Sequence, residues 1–486
     1  DIEKDGEKKP LTSSSVSPSY HQPVTTTDAL ELPLSFRDEA IDTIRIGIPI
    51  FVAMLSWVGM KTTDTALLGH VSAEALSASA LSDLWTMCTA MFLQGRVLGI
   101  LVGAAVGAGN HKVAGAYLQV SYFVIGIISV FVFCAWNVTA PLWKRFGSEP
   151  HIADEAGYYA RVMSFSIPGL VAFSQMSQYF SAQRILYPEV NTATIALILN
   201  LSLGLVFVLG IPFPSFNGFG FVACPIVTAV VVYLQFAFFF LKYIHHQRLH
   251  EPCWDGWSWN HITTARVKTF VTLYFPAAMG SASDFWRVAV IGAIAAKLGE
   301  TEVAVFNTSY RIMWIVLILV NAISSASAIK MSMRLGNMDP NGARQAGLVA
   351  ISLSFVILVV ISALVFVYAR GFGMIFTQDE KFMELFAEAR LPFATTVFLM
   401  CFSVAIEKVP YSMGRTNEVF WMGLIASWGA QVPAVFFLTQ TWRNDLVGLF
   451  SGMSVGYAVL VVLYGYIAAT SDWTKYAQLA RDRSET

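Results

Sequence analysis

The sequence predicts an all-α polytopic membrane protein with about twelve transmembrane helices in two six-helix bundles. Three observations predict this fold: a hydrophobic content of 56%, a charged content of only 13%, and apolar runs that return regularly along 486 residues. A soluble domain has about 25% charged residues, so this chain could not cover a globular surface with charge. Its net charge of −1 also lacks the basic surplus that phosphate contacts need, so we expect no nucleic-acid partner.

Twelve apolar runs predict the membrane-spanning helices. A helix needs about 20 apolar residues to cross the roughly 30 Å hydrocarbon core of a bilayer. The runs are long and continuous rather than ten-residue stretches of alternating polarity, which favours helices. The predicted spans lie near residues 44–69, 77–108, 115–137, 156–184, 190–212, 217–243, 266–298, 302–333, 343–370, 384–412, 416–438 and 444–470.

The segments outside these spans define the predicted domain boundaries. Residues 1–37 are polar and rich in Ser, Thr and Pro, so they cannot bury enough apolar surface to fold and we expect a disordered tail. Lys and Arg concentrate in alternate loops, which predicts that both termini lie in the cytoplasm. We expect the protein in the plasma membrane or in a vacuolar or other organellar membrane. The predicted domains after the cytoplasmic tail at 1–37 are an N-lobe at 38–243, a cytoplasmic linker at 244–265, a C-lobe at 266–470 and a cytoplasmic tail at 471–486.

The two halves of the chain repeat short motifs in the same order. GAGNHKVAGA at 107–116 returns as RLGNMDPNGARQAG at 334–347, and FSAQR at 180–184 returns as YSMGR at 411–415. Six predicted spans precede the linker and six follow it, so the repeats run parallel. Two such pseudo-symmetric halves are a known transporter plan, with the substrate site between them. We therefore expect a monomeric secondary transporter of a small organic solute.

Ionisable side chains inside the spans are the candidate site residues. Each charged side chain costs about 2.5–3.5 kcal/mol at the membrane centre on insertion scales, so such groups normally face a protein interior or a water-filled cavity. The groups of this kind are Lys61, Asp64, Asp83, Arg96, Asp284, Arg287, Lys330, Glu407 and Lys408.

Asp64 and Asp284 are the strongest candidates for ion coupling. At a rise of 1.5 Å per residue both fall in the outer half of the membrane. Burial favours the neutral form of a carboxyl group, which can change its charge by taking up a proton or by binding a cation. The alternative is a permanent ion pair, because Lys61 precedes Asp64 by three residues and Arg287 follows Asp284 by three, on the same helix faces. The spacing leaves both alternatives open.

Four further residues complete the predicted site. Arg96 has no partner on its own helix, so we expect it to face the N-lobe cavity and offset Asp64, unless it binds backbone carbonyl groups instead. Glu407 lies near the cytoplasmic end of its span. Asn200 and Gln175 are uncharged, and we expect them either to line a cavity or to hold helices together by hydrogen bonds.

No motif indicates an enzyme or an ATP-driven pump. The sequence lacks the GxxxxGK[ST] phosphate-binding loop, and no segment outside the spans is long enough for a nucleotide-binding domain. The five cysteines form no CxxC and no Cys/His metal pattern. We therefore expect no cofactor and no metal site, and transport driven by an ion gradient.

Four segments resemble the multidrug and toxic compound extrusion (MATE) transporters. They are TTDTALLGHVSAEALSASALSDLW at 62–85, GAAVGAGN at 103–110, IPGLVAFSQMSQYFSAQRILYPEV at 167–190 and AIKMSMRLGNMDPNGAR at 328–344. Their order and spacing fit the family over residues 40–470. The resemblance implies a V-shaped molecule of two six-helix lobes that exports organic cations or other amphipathic solutes in exchange for H+ or Na+.

The resemblance also implies roles for residues of the N-lobe. Asp64 matches the family's first-helix acid, a coupling-site residue, and Asn200 matches its fifth-helix asparagine. The fifth-helix acid expected four residues later is Gly204 in this sequence. The implied N-lobe ion site is therefore incomplete.

The implied C-lobe site is incomplete as well. Asp284 matches the family's seventh-helix acid, but the second acid often found five residues later is Ala289. The tenth-helix acid falls on Phe402, and Glu407 lies five residues beyond it. A proton on one acid needs less coordination than Na+, since a hard cation is bound by several oxygen atoms. We therefore expect H+ as the coupling ion.

Three alternatives stay open. The first is a Na+-coupled antiporter of the same fold. The second is a lipid or lipid-linked flippase, or an organic-anion exporter; a flippase would need a strongly cationic central cavity, for which Arg96, Arg287, Lys61 and Lys330 are available. The third is a non-transporting or channel-like protein, although the sequence shows none of the ring-forming filter motifs that a channel usually has.

Overall fold

The structure is a computed structural model that describes residues 35–213, 215–376 and 379–485. Over these residues the chain is helical and has no β-strand. The predicted tail at 1–37 lies outside the described residues except at its end, where the first helix already begins at Phe36.

The helices follow the apolar runs of the sequence. The α-helices are α1 (Phe36–Val71), α2 (Ala73–Ala90), α3 (Val97–Gly107), α4 (His111–Asn137), α5 (Thr139–Arg145), α6 (Pro150–Ser164), α7 (Ile167–Ala182), α8 (Tyr187–Phe207), α9 (Ala223–Phe239), α10 (Thr264–Ala296), α11 (Glu300–Gly336), α12 (Pro340–Val367), α13 (Ala369–Phe376), α14 (Glu380–Glu388), α15 (Arg390–Ser412), α16 (Thr416–Leu424), α17 (Val432–Phe437), α18 (Leu446–Ala469) and α19 (Trp473–Glu485). Short 3-10 turns occur at Gly220–Val222, Glu251–Cys253 and Trp259–His261, and π-helical turns at Phe240–His246, Ile425–Gln431 and Leu438–Trp442.

In the described part of the chain, nine helical segments are long and apolar enough to cross a membrane. They are α1, α4, α8, α11, α12, α15 and α18, together with Gly220–His246, which contains α9, and Thr416–Trp442, which contains α16 and α17. The other three predicted spans coincide with the interrupted pairs α2–α3 and α6–α7 and with α10. The predicted all-helical fold with about twelve spans is confirmed, whereas the predicted lobe boundaries stay a prediction.

The second predicted span, expected to be continuous over 77–108, is broken between α2 and α3. At the break, the hydroxyl of Tyr274 donates to the carbonyl of Phe92 at 2.8 Å and accepts from the amide of Gly95 at 3.3 Å. A Cβ atom on Gly95 would lie 2.6 Å from the Tyr274 ring, so only glycine fits there. Since the stabilising hydroxyl comes from α10, the local sequence could not reveal this break.

The buried apolar side chains form two large clusters that divide along the chain. One draws on residues 90–278 together with Met333, and the other on residues 291–464. Helix α11 contributes to both clusters, and it packs against α1 and α3 as well as α12 and α15. Helix α11 therefore joins the first half of the molecule to the second.

Helices α3 and α11 cross at glycine contacts near the end where both helices finish. A Cβ on Gly107 would lie 1.9 Å from the carbonyl oxygen of Met333, and one on Gly336 would lie 2.0 Å from that of Ala104. Small residues allow membrane helices to approach this closely. The two halves therefore meet backbone to backbone at this end of the molecule.

Replacing Gly107 with alanine is expected to lower the stability of the protein by about 1–3 kcal/mol, because overpacking forces the backbones of α3 and α11 apart. Gly99→Ala on the same helix is the matched control, since a Cβ there meets nothing within 4 Å. Thermal unfolding in detergent checks this prediction. Equal melting temperatures for the two variants would contradict the close crossing.

Candidate functional site

A buried polar cluster lies between α1, α8 and α9. The carboxylate of Asp64 accepts hydrogen bonds from Asn200 Nδ2 at 2.8 Å and from Thr228 Oγ1 at 2.9 Å. Asp64 and Thr228 are each 4% exposed, and Asn200 is fully buried. Each oxygen of this carboxylate therefore has one neutral donor, and among the described residues no Lys or Arg side chain is paired with it.

The Thr228 hydroxyl gives this cluster a second hydrogen-bonding arrangement. The same hydroxyl lies 3.1 Å from the carbonyl oxygen of Cys224. A hydroxyl both donates and accepts, so it can turn toward Cys224 and accept a hydrogen bond from the protonated form of Asp64. The cluster can thus hold Asp64 with or without a proton. Sequence reasoning missed Thr228, although a lone hydroxyl in the Val-rich run of α9 was an available signal.

Lys61 lies beside this cluster but is not the direct partner of Asp64. Its Nζ donates to Asp83 Oδ1 at 3.2 Å, and both side chains are 24% exposed. Lys61 and Asp83 still interact with Asp64 through space. Of the two alternatives that the sequence left open, the structure thus has Asp64 hydrogen-bonded to neutral groups rather than ion-paired.

The missing second acid of the N-lobe has a steric explanation. A Cβ on Gly204 would lie 2.3 Å from a terminal methyl group of Leu67. Leu67 therefore packs against the position that a Cβ at residue 204 would take, and a larger side chain there would require this methyl group to move. Asp64 consequently has no second carboxylate from α8 beside it.

Arg96 occupies a different place from the one we expected. It precedes the first residue of α3 at the break in the second span, and its side chain is exposed and makes no capping hydrogen bond. It therefore does not pair with Asp64, and instead interacts electrostatically with Lys408 and Tyr411 on α15. The expected offset of Asp64 by Arg96 is wrong, because Arg96 lies at the break between α2 and α3, beside Lys408 and Tyr411.

Gln175 is fully buried in α7. Among the described residues, neither its amide nitrogen nor its amide oxygen has a hydrogen-bond partner. A buried polar group without partners costs about 1–3 kcal/mol, which water could relieve. Its assignment to the site stays a prediction.

In the second half of the chain, Asp284 and Arg287 form an ion pair on α10. Arg287 Nη2 lies 3.3 Å from Asp284 Oδ1, with 7% of the arginine side chain and 58% of the aspartate side chain exposed. The guanidinium also donates from Nη1 to Ser427 Oγ at 3.1 Å, and its central carbon lies 5.1 Å from the centroid of the Tyr457 ring. Asp284 is therefore paired, the second of the two alternatives, yet its carboxylate reaches open space.

That open space is a small, partly open pocket of about 60 Å³ between α10, α15, α16 and α18, which we refer to as the cavity. Asp284 and Glu407 both line it, so the structure brings together two acids that are far apart in the sequence. The cavity wall also includes the aromatic residues Tyr411, Phe420 and Tyr464. Two carboxylates with aromatic rings around them are the groups that attract an organic cation.

Phe402, at the position implied for the tenth-helix acid, packs elsewhere. Its ring centroid lies 5.5 Å from that of Phe398 and 5.7 Å from that of Phe355. Phe402 is not part of the cavity wall. Glu407 is therefore the acid that α15 presents to the cavity.

A third charged group joins the two halves at the end where α1 begins and α11 finishes. Glu39 is fully buried and lies 2.6 Å from Lys330 Nζ and 2.7 Å from Arg334 Nη2. Asp42 extends the group, since it lies 3.2 Å from Lys330 and 2.5 Å from Arg184. We refer to Glu39, Asp42, Arg184, Lys330 and Arg334 as the junction ion network.

The junction ion network was only partly visible in the sequence. Lys330 stands out in the sequence as a charge within a predicted span, whereas its acidic partners lie just after the polar segment at 1–37. Glu39 and Asp42 stand three residues apart, on one face of the first turns of α1. That spacing was an available signal.

Over 35–213, 215–376 and 379–485, no group of three or more His, Cys, Asp or Glu side chains gathers in a way that could hold a metal ion. What the described site residues can do is bind a proton at Asp64 and attract a cation at Asp284 and Glu407.

Glu39→Gln is expected to lower stability by about 3–5 kcal/mol, because it leaves two buried cations without their shared carboxylate. The control is Asp154→Asn, whose ion pair with Lys144 is exposed and contributes about 0–1 kcal/mol. Melting temperatures in detergent compare the two. A loss no larger for Glu39→Gln than for Asp154→Asn would show that the network does not hold the halves together.

Comparison with known proteins gives a consistent picture. The MatE family model matches residues 49–206 and 276–437. The chain is 25% identical over 488 residues to Protein DETOXIFICATION 34 of Arabidopsis thaliana, and the match covers 94% of this chain and 85% of that protein.

Solved structures share the fold. The eukaryotic MATE transporter AtDTX14 superposes with a TM-score of 0.84 at 20% identity, covering 92% of this chain and 99% of that one. A MOP superfamily transporter from Pyrococcus furiosus, described as having a binding pocket of reverse polarity, gives 0.79 at 16% identity, with 92% and 97% covered. The Vibrio cholerae MATE transporter VcmN in its bent form gives 0.76 at 16% identity, with 93% and 98% covered.

Proposed function

The chain belongs to the MatE family of secondary membrane transporters of organic solutes, and on that premise we propose that it exports organic cations or amphipathic solutes in exchange for protons. The protein would alternate between two conformations, each of which opens the central path to one side of the membrane. The relative called Protein DETOXIFICATION 34 supports export of foreign organic compounds. The family consists of transporters rather than enzymes.

The environment of Asp64 is the observation that carries the choice of the proton. Its carboxylate is buried and bonded only to neutral donors, so its charge can be cancelled by one proton with little rearrangement. The Thr228 hydroxyl has an alternative acceptor 3.1 Å away. Gly204 supplies no carboxylate, and Leu67 packs in the space beside it. An ion larger than a proton therefore lacks an oxygen ligand at this position of α8.

The cavity wall supports a cationic or amphipathic solute. Asp284 and Glu407 bring two acids to it, and the lining residues include no Lys or Arg. Arg287 lies beneath Asp284 and is held by Ser427 and Tyr457. The aromatic rings can pack on the apolar part of a solute while the acids attract its charge.

The alternatives receive less support from these residues. A flippase or an organic-anion exporter needs a cationic cavity, but Lys330 lies in the junction ion network and Lys61 is paired with Asp83. The Pyrococcus furiosus transporter described as having reverse pocket polarity shares the fold, so the polarity of the pocket can differ between proteins of this fold.

Alternating access requires the two halves to separate at the junction ion network. With the N-terminus in the cytoplasm, this network and the glycine crossing of α3 and α11 would close the cytoplasmic side. Opening that side then means breaking the contacts of Glu39 with Lys330 and Arg334. The lobes would rotate about the opposite end.

The coupling ion can be tested in Na+-free proteoliposomes with an acidic lumen. Adding a fluorescent organic cation outside should make the wild-type protein release protons, and Asp64→Asn should reduce that release to the level of protein-free vesicles. Asp154→Asn, an exposed acid of the same half, is the control and should keep wild-type flux. Flux that appears only after Na+ is added would mean sodium coupling. No flux in either condition would favour an anionic solute or a flippase.

The solute site can be tested by binding. Asp284→Asn and Glu407→Gln are each expected to weaken binding of a cationic fluorescent probe about tenfold, which corresponds to about 1.4 kcal/mol. Binding of a neutral analogue of the same size should change much less. Glu384→Gln, an exposed acid on α14, serves as the control. Equal losses for the cationic and the neutral probe would contradict the electrostatic role of the two acids.

A further inference from the structure

Lys61 has a defined position beside the buried polar cluster of Asp64, Asn200 and Thr228. It lies three residues before Asp64 on α1, on the same helix face. Its ammonium group donates to Asp83 at 3.2 Å rather than to Asp64. Because both partners are partly exposed and Asp64 is not, the pair stands at the edge of the cluster.

The other polar groups around Asp64 are neutral, and the amide oxygen of Asn200 is buried without a hydrogen-bond partner among the described residues. Asn200 and Thr228 direct an N–H and an O–H toward the carboxylate. Tyr159 on α6 and Cys224 on α9 are near enough to interact with Asp64, and both are neutral groups. Asp83 on α2 is therefore the one additional carboxylate near Asp64 in the described part of the chain.

Na+ and H+ place different demands on such a site. A hard cation is bound by several oxygen atoms, whereas a proton bonds to a single carboxylate oxygen. The ammonium of Lys61 pairs with Asp83 and adds positive charge beside Asp64. Without Lys61, Asp83 would lose its partner, and the negative charges of Asp64 and Asp83 would no longer be offset by an ammonium group.

We propose that Lys61 is the residue that determines ion specificity in the N-lobe: by pairing with Asp83 it withholds a second carboxylate from Na+ and leaves Asp64 to bind a proton. This inference rests on the proposed proton coupling through Asp64. It assigns Lys61 a role beyond stabilising the helix pair α1–α2. The pair Lys61–Asp83 then acts on the ion through Asp64 rather than by touching the solute.

The experiment measures Na+ binding without transport. Purified protein in detergent is melted in NaCl and, at equal ionic strength, in choline chloride. The wild type should show no Na+-specific change in melting temperature. Lys61→Gln should gain a Na+-specific rise of at least about 1 °C, since a ligand that binds only the folded state stabilises it.

Three variants make the result specific to the charge of Lys61. Lys61→Arg keeps the positive charge and should gain no Na+ response. Lys61→Gln combined with Asp83→Asn removes the second carboxylate and should lose the gain. Lys61→Met keeps the length of the apolar stem and replaces Lys61→Gln if that variant does not fold.

Two results would overturn the proposal. One is a Na+-specific stabilisation of the wild type that Asp64→Asn abolishes, because sodium would then bind despite Lys61. The other is the absence of any Na+ response in both neutral variants. If the proposed export function is wrong, proton flux in vesicles will be missing. The Na+ response of the melting temperatures is measured without transport and tests the role of Lys61 separately.

Discussion

Each charge buried between the helices has to be matched by the protein itself, because neither lipid nor bulk water is there to solvate it. Glu39 shows how far this constraint reaches. It is fully buried and paired with both Lys330 and Arg334, so α1 cannot leave α11 without exposing unpaired charge. The glycine crossing of α3 and α11 belongs to the same end of the molecule. The contact between the two halves therefore depends on the charge match around Glu39.

The two acids that we assign to transport satisfy this constraint in different ways. Asp64 is matched by two neutral donors in a closed cluster, so a proton can change its charge without breaking an ion pair. Asp284 is matched by Arg287 but faces a cavity, where a second cation can approach its other side. The first arrangement suits a coupling ion and the second suits an organic cation, which is why we propose a separate role for each half.

Backbone groups follow the same requirement. The break between α2 and α3 is possible because Tyr274 supplies a hydroxyl to Phe92 and Gly95. At this break Arg96 lies beside α15, where it interacts with Tyr411, a residue of the cavity wall. One side chain of α10 thus determines the course of a helix that is distant in sequence.

By itself, the sequence determined the all-helical membrane fold, since long apolar runs in a weakly charged chain have no other stable arrangement in a bilayer. It also pointed to Asp64, Asn200 and Asp284, because polar residues inside apolar runs are costly and stand out locally. Only the tertiary structure decided their partners: Lys61 pairs with Asp83 instead of Asp64, Thr228 completes the cluster, and Glu407 shares a cavity with Asp284. The physical reason is that the free-energy cost of burying a polar side chain can be recognised from that residue and its neighbours in sequence. Which groups pair with it depends on which helices pack together and where a helix breaks.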